Sequence, residues 1–137
     1  MPNGQSSPGI SPVLESKRAG RRILLVDDDH RILNFLRLKL AVSGYDVITA
    51  TTGEMAVELF ETRKPDIIVM DVLMPGVSGL EVLKALRAFS DIPIIVISAS
   101  TDNGEKAIRL GASSFMPKPL DPDELVKRVD TTLGRGR

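Results

Sequence analysis

From residue 22 onward, short runs of consecutive apolar residues alternate with longer stretches in which apolar residues recur every three or four positions. Consecutive apolar positions are how a strand buried on both faces reads, and a period near 3.6 marks a helix with one sheltered face. The predicted strands are residues 23–26, 45–50, 66–70, 92–97 and 114–116. After the first, Ile32, Phe35, Leu36 and Leu40 recur at helical spacing and Gly44 closes the helix. Met55, Ala56, Leu59 and Phe60 form the stripe of a second helix, which starts after Thr52-Gly53 and ends at Pro65. Leu80, Leu83 and Leu86 mark a third, and a short fourth (Lys106, Ala107, Ile108, Leu110) is stopped by Gly111. Leu125, Val126 and Val129, behind an Asp121-Pro122 start, make the fifth. Five strands and five helices in strict alternation predict an α/β fold: a doubly wound five-stranded parallel sheet in a three-layer sandwich with right-handed crossovers.

Residues 1–21 stand outside this pattern. They hold three of the nine prolines and show neither period, so they are predicted to be a disordered N-terminal extension, with the domain over 22–133 and a tail over 134–137. The formal charge sums to zero over 18 basic and 18 acidic side chains. Lys17, Arg18, Arg21 and Arg22 against Glu15 make the first 22 residues basic, which leaves the domain mildly acidic. An acidic domain with one Tyr, four Phe and no Trp offers neither a phosphate-binding face nor stacking platforms, which argues against nucleic-acid binding by the domain itself. The basic stretch before it reads most simply as a solvated linker. The absence of cysteine excludes a disulfide framework, a thiolate metal site and a cysteine nucleophile. No apolar run approaches the roughly 20 residues of a membrane span, and the N-terminal residues lack the apolar core of a signal peptide, so a cytoplasmic location is expected.

In a doubly wound sheet the chemistry collects outside the carboxyl ends of the strands. Those ends carry Asp27 and Asp28, then Asp71, then Ser98, then Lys118. Crowded carboxylates repel one another unless a cation joins them, and hard oxygen donors with room for water suit Mg²⁺ or Mn²⁺. Phosphoryl transfer needs a nucleophile, a metal to neutralise the phosphoryl oxygens and one or two further donors. Asp71 can supply the nucleophile through an aspartyl-phosphate, Ser98 a hydroxyl donor and Lys118 a point charge on phosphate. Asp29 is expected to cap the first helix, and His30 to sit exposed in its first turn, although a ligand role for His30 is conceivable from its place after the acidic run. Met70, Met74 and Met116 read as core or loop filler.

Val26-Asp27-Asp28-Asp29, Asp71 with Met74-Pro75-Gly76 and Gly79, Ser98-Ala99, Gly111-Ala112 with Phe115, and Lys118-Pro119 together resemble the receiver domain of two-component response regulators, over about residues 22–133. The resemblance implies a flavodoxin-like sheet in the order 2-1-3-4-5. It also implies that Asp71 is the phosphoacceptor, that Asp28 is a direct Mg²⁺ ligand, that Asp27 binds through water and that the main-chain carbonyl of Leu73 completes the protein ligands. Ser98 corresponds to the switch hydroxyl, Phe115 to the aromatic whose rotamer follows it, and Lys118 to the phosphate partner, with a cis bond to Pro119. The implied donor is a phosphohistidine on a sensor histidine kinase or a histidine phosphotransfer protein. The implied output is a change in the face formed by the fourth helix, fifth strand and fifth helix, with homodimerisation on phosphorylation as one form it takes. Such a module is a signalling phosphoacceptor and, beyond its own phosphorylation and dephosphorylation, not an enzyme.

Three positions depart from the family pattern. The stretch from Ser98 to Gly111 is about two residues short, so the fourth helix is expected to start late or to be loosened. Phe115 lacks the hydroxyl of the commoner Tyr. Leu73 and Ser100 stand where family side chains often orient the hydrolytic water; Leu cannot hydrogen-bond, so slow self-dephosphorylation is expected. A Mg²⁺-dependent aspartyl-phosphate phosphatase would need a second acid two residues after the nucleophile, where Leu73 stands. A flavin carrier would need a phosphate loop where three aspartates stand. A receiver-like module that works by interaction alone, without phosphate, is the remaining alternative.

Overall fold

The computed structural model describes residues 12–135. In chain order its elements are α1 (Pro12–Arg18), β1 (Arg22–Val26), α2 (His30–Val42), β2 (Asp46–Ala50), α3 (Gly53–Arg63), β3 (Ile67–Asp71), α4 (Gly79–Arg87), β4 (Ile94–Ser98), α5 (Thr101–Arg109), β5 (Ser114–Pro117) and α6 (Pro122–Arg135). The sheet is five-stranded in the order β2-β1-β3-β4-β5, and each neighbouring pair is parallel. The predicted fold class is therefore the observed one, with a sixth helix at the N-terminus.

Strand alternation divides the core in two. Ile23, Leu25, Ile67, Val69, Ile95 and Ile97 face Leu33, Leu36 and Leu40 of α2 and Leu125, Val129 and Leu133 of α6. Leu24, Val26, Ile68, Met70, Ile94 and Val96 face Ala56 of α3, Val82, Leu83 and Leu86 of α4, and Ala107 of α5. Three central strands covered on both sides by helices explain why their sequences are apolar at consecutive positions.

Several boundaries and faces differ from the sequence expectation. In α2 the buried stripe is Leu33, Leu36 and Leu40, whereas Ile32 and Phe35 are exposed, Phe35 at 58%. The helix carries two overlapping apolar stripes, and the sheet packs against the one made by the leucines. Met55, Ile108 and Leu110 are likewise exposed; α3 and α5 approach the sheet through the small residues Gly53, Ala56, Gly104 and Ala107. The second strand begins at Asp46, since the amide of Tyr45 donates to Leu40 O (3.2 Å). The fourth begins at Ile94, because Pro93 has no N–H to give the ladder.

The expected disorder over residues 1–21 is corrected at 12–18, which form α1; residues 1–11 lie outside the described residues. The cause is Arg18, which is buried rather than part of a solvated linker. Its guanidinium grips Asp130 of α6 through two nitrogens (3.0 and 2.6 Å), donates to Ser43 O (3.0 Å) and lies over the Tyr45 ring. Tyr45 donates its hydroxyl to the same Asp130 carboxylate, and burial, together with that carboxylate, pushes the phenol well above its ordinary pKa. The expected tail is also shorter: residues 134 and 135 continue α6, and 136–137 lie outside the described residues.

Candidate functional site

The site is built where β1 and β3 end beside each other. Past Val26 the chain stays tied to β2 through the amide of Asp27, which donates to Ala50 O (3.1 Å). Asp27 is buried, and its Oδ1 accepts the amide of Asp29 (2.9 Å). Asp29 in turn caps α2, accepting the amides of Arg31 and Ile32 as expected of it. Asp28, between them, is left exposed to solvent. Asp71 is the last residue of β3 and is buried; its Oδ1 accepts the amide of Leu73 (3.1 Å). The first turn of α4 closes against the back of Asp71, where a Cβ on Gly79 would stand 2.5 Å from Asp71 O. Only glycine permits that approach. Lys118 directly follows β5, is joined to Pro119 by a cis bond and sends its ammonium to Asp71 Oδ2 at 2.8 Å.

Carboxylate oxygens of Asp27, Asp28 and Asp71 lie within 4.8 Å of one another. Burial raises the Asp27 pKa; the Asp29 amide opposes that shift, and the charges of Asp71 and Asp28 add to it. Burial pulls the Lys118 ammonium down, but its contact with Asp71 and the charges of Asp27 and Asp28 outweigh this and raise its pKa. Three carboxylates against one ammonium leave negative charge in a partly enclosed pocket. The donors are hard oxygens, and exposed Asp28 keeps the group open to water, as suits a cation that retains part of its hydration shell. The residues present therefore fit Mg²⁺ or Mn²⁺.

Ser98, at the end of β4, is 1% exposed, and its Oγ accepts the amide of Ser100 (3.0 Å). Phe115 lies one strand over, its register partner being Val96. The helix expected to start late or to be loosened, α5, opens at Thr101, three residues after Ser98, capped by Ser100, whose hydroxyl accepts the Asn103 amide (3.2 Å). A serine capping residue so close to the strand end compensates for the short spacing. His30 is the exposed first residue of α2. Two features were not foreseen in the sequence. One is an apolar groove of about 230 Å³ beside the acidic residues, lined by Ile32, Phe35, Leu36, Ile97, Pro119 and Leu120 together with Asp27 and Lys118. The other is Gly104, whose signal was a glycine inside a helical stretch.

A family model described as the response regulator receiver domain matches residues 23–130. The chain is 43% identical over 118 residues to the alkaline phosphatase synthesis transcriptional regulatory protein PhoP of Bacillus subtilis, covering 84% of this chain and 49% of that protein. It is 39% identical over 115 residues to the transcriptional regulatory protein KdpE of Mycobacterium tuberculosis, covering 82% and 51%. Among solved structures, the receiver domain of the Francisella response regulator 1452 superposes with a TM-score of 0.81 at 34% identity, covering 85% of this chain and 99% of that one. A CheY-like receiver domain protein from Methanospirillum hungatei gives 0.78 at 27%, covering 83% and 94%. The chain belongs to the response regulator receiver domain family. It spans about half the length of the curated relatives it matches. Among the described residues no helix is long and apolar enough to cross a membrane.

Proposed function

We propose that the chain accepts a phosphoryl group on Asp71 from a phosphohistidine of a sensor histidine kinase or histidine phosphotransfer protein, and signals through the face formed by α5, β5 and α6. The observation that carries this reading is Asp71 itself. It is a buried carboxylate with an ammonium 2.8 Å from one oxygen and two further carboxylates within 4.8 Å.

Bound by Asp27, Asp28, Asp71 and the main-chain carbonyl of Leu73, Mg²⁺ would neutralise charge on the phosphoryl oxygens. The rest falls to the chain. A carboxylate oxygen of Asp71 forms the new P–O bond as the P–N bond of the phosphohistidine breaks, and the imidazole leaves with the electron pair and takes up a proton from solvent. Lys118 moves from the carboxylate to a phosphoryl oxygen, and Ser98 turns its hydroxyl to another. The added charge of about −1.5 to −2 drives that rearrangement, and Phe115 fills the space behind Ser98. The apolar groove beside Asp27 and Lys118, with Phe35 and Leu38 exposed on α2, supports a protein donor docking there. The relatives are transcriptional regulators by name, so the output we propose is control of transcription, exerted through a further domain or a separate partner. No enzymatic activity beyond self-phosphorylation and self-dephosphorylation is proposed.

Intact-protein mass after incubation with Mg²⁺ and acetyl phosphate tests the reading. Wild type is expected to gain one phosphoryl group, stable to acid and released by hydroxylamine, and Asp71→Asn to gain none. No gain on folded wild type, with no Mg²⁺ bound, would replace this reading with the interaction-only module.

A further inference from the structure

We infer that Gly104 is the resting seat of the Phe115 ring, and that the position of the switch is set by whether the ring occupies this seat. The inference rests on the phosphoacceptor reading above and adds a positioning residue to it.

A Cβ built on Gly104 would stand 2.5 Å from three carbons of the Phe115 ring at once, Cδ2, Cε1 and Cε2. Equal distances to atoms spread around the ring place that Cβ over the ring face, so the ring lies flat on the bare Cα of the helix. Gly104 is buried in the interior of α5, where glycine disfavours a helix relative to alanine. The close approach of the ring is what its missing side chain permits. The seat matters because Phe115 has no hydroxyl: no hydrogen bond can anchor the ring, and shape alone decides where it rests.

The seat is also wired to Ser98. Strand alternation puts Ser98 on the same sheet face as Val96, the register partner of Phe115, and α5 covers that face. Ser98 Oγ accepts the Ser100 amide (3.0 Å), and the carbonyl of Ser100 accepts the Gly104 amide (3.0 Å). When Ser98 turns toward a phosphoryl oxygen, the Ser100 amide loses its acceptor, and the residue that caps α5 loses one tie to the strand end while its own bonds to Asn103 and Gly104 stay in place. The helix that carries the seat and the space the ring would enter thus change together.

Nuclear magnetic resonance on the full chain, with beryllofluoride as the phosphoryl mimic, tests the inference. Without beryllofluoride, the Gly104 α-protons should show cross-relaxation to the Phe115 ring and a strong upfield ring-current shift. With Mg²⁺ and saturating beryllofluoride both should vanish, and in Asp71→Asn both should persist. Gly104→Ala should evict the ring and lower the beryllofluoride concentration for half-saturation by about fivefold or more. On a Phe115→Ala background the same substitution should change it by less than about twofold. An intact Gly104–Phe115 contact at saturation, while the Ser98 and Lys118 amides shift, would overturn the inference and leave the phosphoacceptor reading standing. An equal effect of Gly104→Ala with and without the ring would also overturn it. Failure of every amide near Asp71 to respond would overturn the phosphoacceptor reading, and the inference with it.

Discussion

Asp71 divides its two oxygens between a main-chain amide and an ammonium, Leu73 N on Oδ1 and Lys118 Nζ on Oδ2. The residue that supplies that amide carries an apolar side chain, 57% exposed at the mouth of the site. That side chain has no group with which to orient water for attack on a phosphoryl group, and the Ser100 hydroxyl already accepts the Asn103 amide as the cap of α5. A phosphoryl lifetime of minutes or longer is therefore expected in purified, Mg²⁺-bound protein, and Leu73→Asn should shorten it by about tenfold, less than the roughly 10²–10⁴-fold of a general acid or base because an amide orients water without taking its proton. Loss of label from acetyl-phosphate-treated protein measures both; a wild-type lifetime of seconds would refute the expectation. At this scale the residues that meet at the strand ends were legible, since Asp27, Asp71, Ser98 and Lys118 each follow an apolar run directly and Asp28 stands next to Asp27. Gly104 was not, because what it meets is eleven positions away at a place only the fold defines, as the contact with the Phe115 ring makes plain.

At the scale of elements, local signals worked where a cap or a breaker decides the outcome and failed where a distant partner does. Asp29, Thr52, Ser78 and Ser100 each accept an amide of the helix they start; Asp29 was read as a cap from the sequence, whereas Ser100 was not, and it accounts for a helix start that the spacing alone placed later. The facing of α2 was misread because its two apolar stripes are equivalent until a sheet is laid against one of them. Helix α1 is the reverse case, a segment with no helical period of its own, held by Arg18 in an ion pair with Asp130, 112 residues away. The pair is largely buried, with Arg18 6% and Asp130 18% exposed at the side chain. Arg18→Ala leaves Asp130 and the Ser43 carbonyl without that partner, and a loss of about 2 kcal/mol is expected, below the value for a fully buried pair because water reaches Asp130. The midpoint of urea unfolding, monitored by circular dichroism, checks it; an unchanged midpoint would mean that α1 contributes nothing to the fold.

For the molecule as a whole, three carboxylates are concentrated at the joint ends of β1 and β3, the centre of the sheet. A cation that binds this geometry and not the unfolded chain must stabilise the entire domain. At about one hundred times its dissociation constant, Mg²⁺ should add about 2.7 kcal/mol, or about 5–10 °C in melting temperature, with reversal by chelation. Asp28→Ala should blunt the shift, and equal melting curves with and without Mg²⁺ would remove the cation from the site. The sequence by itself determined the class of fold and the identity of the acidic and basic groups, because burial on both faces makes central strands apolar and the first polar residue beyond each must lie at the same edge of a parallel sheet. Tertiary structure alone decided that Lys118 touches Asp71, that α1 belongs to the domain and that a phenyl ring rests on a glycine. These are meetings between residues far apart in the chain, and their distances depend on how helices settle on the sheet, which no local period encodes.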